Sequence, residues 1–272
     1  MSVILPVRLV EKPWGKDVLP APFAAPPGQR IGEIWFEPPP QHPELLVKYI
    51  FTSEALSVQV HPTDAQTEAK GLGHQGKEEC WLILHAEPGA TLGIGFENEV
   101  GAQPMRQAAI DGSIEHLLTW HPVQPGDFFY IPANTVHAIG AGVSLIEVQQ
   151  NSDITYRLYD YGRPRELHLD EGMAVAKGAP YPEQLHRKVP GRGSETLVDG
   201  PLFRLDQIDS AYPEDIAARY GEGPLLVIPR TGSAHVAGQA VKPGECALAP
   251  DLYAVSFDGD GPVLIAQPCH GR

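Results

Sequence analysis

Short apolar or alternating runs make up most of the hydrophobic pattern in the first half of the chain. Three of them follow one another from residue 45 onward, LLVKYIF, LSVQV and CWLIL. Runs of this length are typical of strands, and closely spaced runs are typical of an antiparallel sheet. Within the first forty residues only IGEIWF is expected to be a strand, because its surroundings are rich in proline and glycine.

Helical patterns are restricted to three segments. The strongest is SIEHLLTWHPV, with Ser113 as a candidate N-cap and Ile114, Leu117 and Leu118 on one face. DAQTEAKGLG and RELHLDEGMAVAKG are the other candidates. Glycine and proline each number 28 and follow no period, which suits many short strands joined by turns. We therefore expect a mainly β protein with few short helices.

A glycine and a proline separated by five residues occur twice in the chain. Gly126 and Pro132 enclose a run containing FFYI, and Gly244 and Pro250 lie 118 positions further along around a mostly apolar run. A histidine follows the first proline by five positions, whereas Val255 takes that place in the second copy. We interpret the second copy as a related turn that lacks the metal ligand.

These patterns predict two β-rich domains. Residues 1–170 would form a metal-binding catalytic domain, residues 171–200 a polar linker, and residues 201–272 a smaller β-domain without metal. His235 in the last part has no acid or second histidine at a useful spacing, so we expect a structural role for it. The chain of 272 residues is long enough to bury one large core or two modest ones.

The charge balance excludes several classes of partner. A formal net charge of −14, with only 20 lysines and arginines, argues against binding nucleic acid or an anionic membrane surface.

No apolar segment is long enough to span a membrane, and the N-terminus lacks the pattern of a signal peptide. Cys80, Cys246 and Cys269 form no CxxC pair, which argues against a disulfide framework or a thiolate zinc site. We expect a cytoplasmic protein.

Four residues of the first predicted domain could bind a metal. Gln59 and His61 lie two positions apart in one predicted strand and therefore share a face, Glu79 lies in the next strand, and His137 follows the Pro132 turn. Two imidazoles, a carboxylate and an amide oxygen suit a divalent ion such as Zn²⁺, with room left for substrate or water. Burying such side chains without partners in apolar strands costs free energy. A metal ion bound by all of them therefore explains their presence better than four unrelated buried polar residues would.

Three charged residues accompany this set. Lys77 shares a face with Glu79, Glu147 is the inward acid of SLIEVQQ, and Arg157 lies in TYRLY. Glu147 is either a base or a residue that orients a ligand through a hydrogen bond. Arg157 can hold either a phosphate or the reacting oxygens of a substrate.

Several motifs resemble those of a known enzyme family. The turn from Gly126 to His137 resembles the second cupin motif, and LSVQVHP, GKEECW, PANTVHAIG and EVQQNSDITYRLYD are similar to motifs of the type I mannose-6-phosphate isomerases, in particular their short bacterial form. EKPWG and IGEIWF are similar to that family too, so the resemblance extends over about residues 11–163.

The resemblance implies a fold, a reaction and a set of residues. The fold would be a cupin catalytic domain, a double-stranded β-helix, followed by a degenerate cupin-like domain. The reaction would be the interconversion of mannose 6-phosphate and fructose 6-phosphate through an enediolate, in a monomer or a homodimer. One Zn²⁺ per chain would be held by Gln59, His61, Glu79 and His137, and the active-site positions would be occupied by Lys77, Glu147 and Arg157.

Two departures from the usual cupin pattern bear on this resemblance. Asn134 stands where the turn usually has glycine, although asparagine tolerates a positive φ better than other residues. The common His-x-His pair is absent because Gln59 fills its first place, which is normal for the isomerases.

Two other function classes remain open from the sequence. A cupin oxygenase would use Fe²⁺ with a His/His/carboxylate set and would not need Gln59. A non-catalytic sugar-binding cupin would keep the pocket without needing the group formed by Lys77, Glu147 and Arg157.

Overall fold

A computed structural model describes residues 4–220 and 223–269 of the chain. The strands of the N-terminal part are β1 (Val7–Lys16), β2 (Ile31–Phe36), β3 (Leu45–Phe51), β4 (Val58–Val60), β5 (Glu79–Ala86), β6 (Thr91–Phe96), β7 (Leu118–Pro122), β8 (Asp127–Ile131), β9 (His137–Ile139), β10 (Val143–Gln150) and β11 (Tyr156–Tyr159). The remaining strands are β12 (His186–Lys188), β13 (Glu195–Asp199), β14 (Phe203–Ile208), β15 (Leu225–Pro229), β16 (Ala234–Val236), β17 (Gln239–Val241), β18 (Ala247–Ala249), β19 (Val255–Phe257) and β20 (Val263–Pro268).

Helices are few and short, as expected. They are α1 (Asp64–Ala69), α2 (Ala102–Asp111), α3 (Leu169–Val175) and α4 (Glu214–Tyr220), with single 3-10 turns at Ser113–His116, Glu183–Leu185 and Leu252–Ala254. None of the helices in the described ranges is long and apolar enough to cross a membrane.

Two antiparallel sheets form the N-terminal part. The larger has seven strands in the order β1-β2-β3-β10-β5-β8-β12, and the smaller has five in the order β11-β4-β9-β6-β7. Side chains from both sheets, among them Trp81, Leu145 and Ile94, pack together in one apolar cluster between them. This face-to-face arrangement confirms the mainly β, cupin-type fold expected from the sequence.

The C-terminal strands form two further antiparallel sheets, with the orders β13-β14-β20-β15-β18 and β17-β16-β19. A second apolar cluster joins the first of these to the seven-stranded sheet and includes Leu82, Ile146, Leu226 and Leu264. The seven-stranded sheet is therefore covered on both faces. Because of this, every residue of β3 and β10 is buried, and their sequences lack the alternation of a half-exposed strand.

The predicted linker, residues 171–200, contains regular structure. Strand β12 joins the seven-stranded sheet beside β8, and β13 pairs with β14 of the C-terminal sheet. In its described residues the region after Leu202 contains seven strands, β14 to β20, and the helix α4. The division into two domains and a linker stays a prediction.

Two predictions of secondary structure were wrong. SIEHLLTWHPV forms only a 3-10 turn followed by β7, and the longest helix, α2, lies just before it. Gly112, with φ of 85°, ends α2 in the left-handed conformation and separates it from this segment. IGEIWF is not the only strand of the first forty residues, because β1 precedes it; β1 lies at the edge of its sheet, where Pro13 is tolerated.

The repeated glycine turn is confirmed in its backbone geometry. Gly126 and Gly244 have φ of 91° and 89°, and Val255 begins β19 as His137 begins β9. His235 lies in β16 with Nδ1 at 3.1 Å from a carboxylate oxygen of Asp258. His270, the other C-terminal histidine, lies outside the described residues.

Candidate metal centre and substrate pocket

Three strand ends bring two histidines and a glutamate together inside the N-terminal barrel, the name used here for the seven-stranded and five-stranded sheets together. His61 follows β4 directly, Glu79 is the first residue of β5, and His137 is the first residue of β9. One potential ligand atom from each lies within 4.8 Å of the others, and all three side chains are buried. The pairing of β4 with β9 sets Gln59 opposite His137, which places the fourth predicted ligand beside them.

Backbone carbonyls orient both imidazole rings. Nδ1 of His61 lies 2.8 Å from the carbonyl oxygen of Ile154, and Nδ1 of His137 lies 2.9 Å from that of Thr135. A carbonyl can only accept a hydrogen bond, so Nδ1 carries the proton in each ring and Nε2 is unprotonated; in His61 the Nε2 lone pair lies 3.2 Å from Nζ of Lys77. This tautomer is the one that a metal ligand coordinating through Nε2 requires.

The two Nε2 atoms face the carboxylate of Glu79. Nε2 of His61 lies 3.7 Å from Oε2, and Nε2 of His137 lies 3.4 Å from Oε1, which has no hydrogen-bond partner. All of these atoms are acceptors, so they need hydrogen-bond donors or a cation to satisfy them. Lys77 supplies one such charge, because its Nζ lies 2.9 Å from Oε2 of Glu79. The lone pairs of these buried nitrogen and oxygen atoms can also coordinate a divalent metal ion.

Gln59 completes the cluster through its amide group. Its Nε2 lies 3.5 Å from Nε2 of His61 and 3.2 Å from Nε2 of His137, and its Oε1 accepts a hydrogen bond from the hydroxyl of Ser57. A hydroxyl can also accept, so Ser57 satisfies the reversed amide as well. In that orientation the oxygen of Gln59 faces the two imidazoles and can serve as a metal ligand.

The protonation states of the cluster follow from its burial. Burial, followed by the charge of Lys77, lowers the pKa of His61 well below its usual value, and burial lowers the pKa of His137 to about 4. Burial and the neighbouring carboxylate of Glu147 raise the pKa of Glu79 to about 7. Burial opposes the charge of Lys77, but Glu79 and Glu147 raise its pKa. Both histidines are therefore neutral and able to bind a metal at neutral pH.

A cavity of about 270 Å³ opens next to this cluster. Gln59, Lys77, Glu147 and Arg157 from the predicted site line it, and the pocket contains five cationic side chains in all, those of Lys12, Lys48, Lys77, Arg157 and Arg165. These five cations outnumber the three carboxylates of the lining, those of Glu33, Glu147 and Asp153. In a protein of net charge −14 this excess provides the local exception that an anionic substrate needs.

Glu147 is fully engaged with neighbouring side chains. Its Oε1 accepts a hydrogen bond from Nζ of Lys48 at 3.0 Å, and its Oε2 accepts one from Nε1 of Trp81 at 2.9 Å. Burial alone would raise the pKa of Glu147, but the ammonium groups of Lys48 and Lys77 lower it to about 2. The ring of Trp81 in turn packs edge-on against His137, with centroids 5.3 Å apart.

Arg157 differs from the other cations at the rim of the pocket. Lys12 pairs with Glu33 at 3.1 Å and Arg165 with Asp160 at 2.5 Å, but Arg157 has no ion-pair partner among the described residues. Its guanidinium donates a hydrogen bond to the carbonyl oxygen of Glu166, and its backbone lies opposite Gln59 in the register of β11 and β4. Burial and the charge of Arg165 lower the pKa of Arg157.

Lys48 and Glu33 are pocket residues that the sequence analysis did not single out. Lys48 donates to Glu147 and Gln149 from a strand that is buried at every position, and Glu33 accepts a hydrogen bond from Nε1 of Trp35 at 2.6 Å. The sequence contained a pattern that could have identified each of them. A single charged residue in the middle of LLVKYIF or IGEIWF is costly to bury unless it has a partner, so it indicates a polar site on that strand.

Comparison with known proteins gives a consistent result. No protein-family model matches the chain. A mannose-6-phosphate isomerase of Streptococcus mutans is 35% identical over 238 residues, which cover 82% of this chain and 73% of that protein.

Two solved structures share the fold. The mannose 6-phosphate isomerase of Bacillus subtilis aligns with a TM-score of 0.75 and 23% identity, covering 98% of this chain and 99% of that one. A zinc-bound holo form of a mannose 6-phosphate isomerase aligns with a TM-score of 0.69 and 17% identity, covering 98% of this chain and 99% of that one. With its fold and its sequence similarity taken together, the chain belongs to the mannose-6-phosphate isomerase family.

Proposed function

We propose that this protein interconverts D-mannose 6-phosphate and D-fructose 6-phosphate. The buried cluster of His61, Glu79 and His137 carries the proposal, because it adjoins a pocket rich in cations in a chain related to isomerases of that name. Moving a proton between C1 and C2 of an open-chain sugar requires a base and positive charge to stabilise the enediolate. The pocket offers the positive charge through its five cationic side chains.

We infer that one zinc ion per chain is bound by Gln59, His61, Glu79 and His137. The neutral Nε2 atoms, the carboxylate and the amide oxygen of Gln59 would suit zinc as ligands, and a mannose 6-phosphate isomerase of the same fold has zinc bound. When bound, the ion supplies positive charge and Lewis acidity next to the oxygens of the substrate.

Arg157 is assigned to binding the oxygens of the substrate that take part in the reaction. Its guanidinium has no ion-pair partner among the described residues, and its strand is paired with the strand of Gln59. A planar guanidinium so placed can hold two adjacent oxygens of an enediolate through parallel hydrogen bonds. Lys77 adds a second positive charge to the lining of the same pocket.

Glu147 is assigned an orienting role rather than that of the base. Both of its oxygens accept hydrogen bonds, and a pKa of about 2 makes it a weak proton acceptor at neutral pH. It fixes the ammonium of Lys48 in the pocket and holds Trp81 against His137.

A coupled assay tests the proposal. We expect the protein to convert mannose 6-phosphate into fructose 6-phosphate, to lose the activity to a chelator and to regain it with zinc, with unphosphorylated mannose as the substrate control. Oxygen consumption without isomerisation would point instead to a cupin oxygenase. Binding of the sugar phosphate without turnover would point to a sugar-binding cupin.

His137→Ala tests the metal centre separately. We expect it to lose bound zinc and activity while the barrel remains folded, because a metal that binds a pre-formed barrel adds stability without creating the fold. His235→Ala, in the C-terminal part, is the control and should keep both. Wild-type zinc content and activity in the His137 variant would contradict the ligand assignment.

A cytoplasmic location and a monomeric or homodimeric state stay predictions, as does the lack of nucleic-acid and membrane partners.

A further inference from the structure

The segment that delivers Lys77 and Glu79 to the metal centre is irregular. Residues 70–78 connect α1 to β5, and the regular hydrogen bonding of β5 begins only at Glu79. An irregular segment needs other partners for its backbone amides if its side chains are to be held in place. The amides of Gly76, Lys77 and Glu78 all have such partners.

Two of these three amides are bound by side chains. The amide of Gly76 donates to Oδ1 of Asp64 at 2.7 Å, and the amide of Glu78 donates to Oε1 of Gln150 at 3.0 Å. The amide of Lys77, between them, donates to the carbonyl oxygen of Pro62 at 3.0 Å.

Asp64 and Gln150 are also bound to each other. Nε2 of Gln150 donates to Oδ1 of Asp64 at 2.9 Å, so one aspartate oxygen accepts from both the glutamine and Gly76. The backbone of Gln150 adds a hydrogen bond to the carbonyl oxygen of Glu78 at 3.0 Å. We call Asp64 and Gln150 together the clamp.

The clamp connects the segments of two proposed ligands. Asp64 begins α1 three residues after His61, and Gln150 ends β10 next to the strand of Glu79. The segments approach so closely at Gly76 that a Cβ there would lie 2.3 Å from the carbonyl oxygen of Pro62. The backbones of the two segments are therefore in direct contact at Gly76.

Neither clamp residue reaches the substrate pocket. Gln150 is only 3% exposed, and it follows Gln149, so its side chain points to the opposite face of β10 from Glu147 and Gln149. Both clamp residues instead border a separate small cavity together with Thr63, Ala65, Glu78 and Leu202. Their effect on the site must therefore act through the backbone of residues 76–78.

We propose that Asp64 and Gln150 are positioning residues that hold Lys77 and Glu79 in register with His61. The inference rests on the proposed metal-dependent function, which it extends to residues outside the pocket. Residues that orient metal ligands typically change metal affinity or activity by about 10-fold to 100-fold when they are removed. The loss should appear in metal affinity and in kcat more than in KM, because the clamp does not contact the substrate.

The test compares Gln150→Ala with Gln207→Ala. Gln207 is also a buried glutamine, and it donates to the carbonyl oxygens of Pro190 and Gly193 far from the metal centre. Both variants should lose thermal stability, but only Gln150→Ala should lose zinc affinity, by about 10-fold to 100-fold in chelator competition. Hydrogen exchange at the amides of Gly76 and Glu78 should also become faster in that variant alone.

A rescue experiment separates positioning from simple loss of packing. Gln150→Glu keeps the acceptor for the amide of Glu78 but places a carboxylate beside Asp64, so we expect it to weaken zinc binding. Asp64→Asn added to this variant restores a donor between the two side chains, and zinc affinity should recover toward the wild-type value. No recovery, together with equal effects of Gln150→Ala and Gln207→Ala on zinc affinity, would overturn the proposal.

The readouts also distinguish this inference from the proposed function. Zinc affinity and the visible spectrum of the Co²⁺ form are measured without any substrate. A wild-type protein that binds zinc but does not isomerise mannose 6-phosphate would remove the proposed function and leave the clamp result standing. If the wild type isomerises mannose 6-phosphate but the clamp variants keep wild-type zinc affinity, the proposed function stands and the clamp proposal is wrong.

Discussion

At the scale of single residues, the lack of an ion-pair partner among the described residues distinguishes Arg157 from the other pocket cations. The carboxylates that pair with Lys12 and Arg165 neutralise them, whereas no described carboxylate pairs with Arg157. Its guanidinium lies beside the strands that carry the proposed metal ligands, so we expect it to act on the reacting oxygens of the substrate. We do not expect it to bind the phosphate, because the phosphate lies at the other end of the sugar.

Substitution of Arg157 tests this role. Arg157→Ala should lower kcat by at least about 100-fold, the typical cost of removing a group that stabilises an oxyanion. Arg157→Lys should lower kcat with little change in KM, because a point charge replaces a bidentate fork. Arg106→Ala, which removes a surface ion pair with Asp170, is the control and should keep wild-type kinetics. Near-normal kcat with a much higher KM in both Arg157 variants would assign the residue to the phosphate instead.

The raised pKa of Glu79 predicts a pH dependence of metal binding. Its pKa in the metal-free fold is about 7, above the value of about 4.3 in an unfolded chain, so the folded protein binds the extra proton between these pH values. The stability from that proton is fully present below about pH 4.3 and is lost as pH rises through about 7. A metal requires the ionised carboxylate and therefore competes with the proton.

Zinc affinity measured from pH 5.5 to pH 8 tests this expectation. It should rise about tenfold per pH unit below about pH 7 and level off above it, because one proton is displaced. His137, with a pKa of about 4, is already neutral over this range and adds no dependence. An affinity that does not change with pH, after correction for the protonation of the competing chelator, would show that Glu79 is ionised throughout.

At the scale of elements, the glycine turns show how local conformation and packing combine. Gly238 and Gly244 have φ of 82° and 89°, which costs other residues about 1–2 kcal/mol. A Cβ at Gly238 would meet nothing within 4 Å, whereas one at Gly244 would lie 2.3 Å from Cγ of Pro22. Gly244 therefore sets the approach of the N-terminal segment to the C-terminal sheet.

Comparison of the two alanine variants separates these contributions. Gly238→Ala should lower the free energy of unfolding by about 1–2 kcal/mol through backbone strain alone. Gly244→Ala should cost about 1–3 kcal/mol more, because the contact with Pro22 must be relieved as well. Urea unfolding of both variants measures the difference, and equal losses would mean that Pro22 moves aside without cost.

At the scale of the whole molecule, the C-terminal sheet covers one face of the catalytic barrel. Leu264 of β20 belongs to the apolar cluster shared with the seven-stranded sheet, while its neighbour Ile265 belongs to a cluster within the C-terminal part. We therefore expect the stability of the barrel to depend on residues far from it in sequence.

Tryptophan fluorescence can test this coupling, because all four tryptophans lie in the first 120 residues. Leu264→Ala and Ile265→Ala should each cost about 2–5 kcal/mol, since both side chains are fully buried. If the shared cluster couples the two parts, Leu264→Ala should lower the midpoint seen by fluorescence as much as that seen by circular dichroism. A fluorescence midpoint unchanged by Leu264→Ala would mean that the barrel unfolds independently.

The sequence by itself determined the fold class and pointed to the metal cluster. Side chains two apart in a strand share a face, so the spacing predicted that Gln59 and His61 lie together. In the structure His61 directly follows β4, and its Nε2 lies 3.5 Å from Nε2 of Gln59. Asn134 could be expected to adopt a positive φ, and its φ is 72°. These properties depend on neighbours in the chain, which is why the sequence contains them.

Only the tertiary structure decided which distant side chains meet. Lys48 and Glu147 are 99 positions apart, and Asp64 and Gln150 are 86 apart, yet each pair shares a hydrogen bond. Strand β10 is buried at every position because a second sheet covers its outer face, and that sheet comes from the end of the chain. Such contacts depend on sheet order and register, which arise from packing over the whole molecule and leave no local pattern to read.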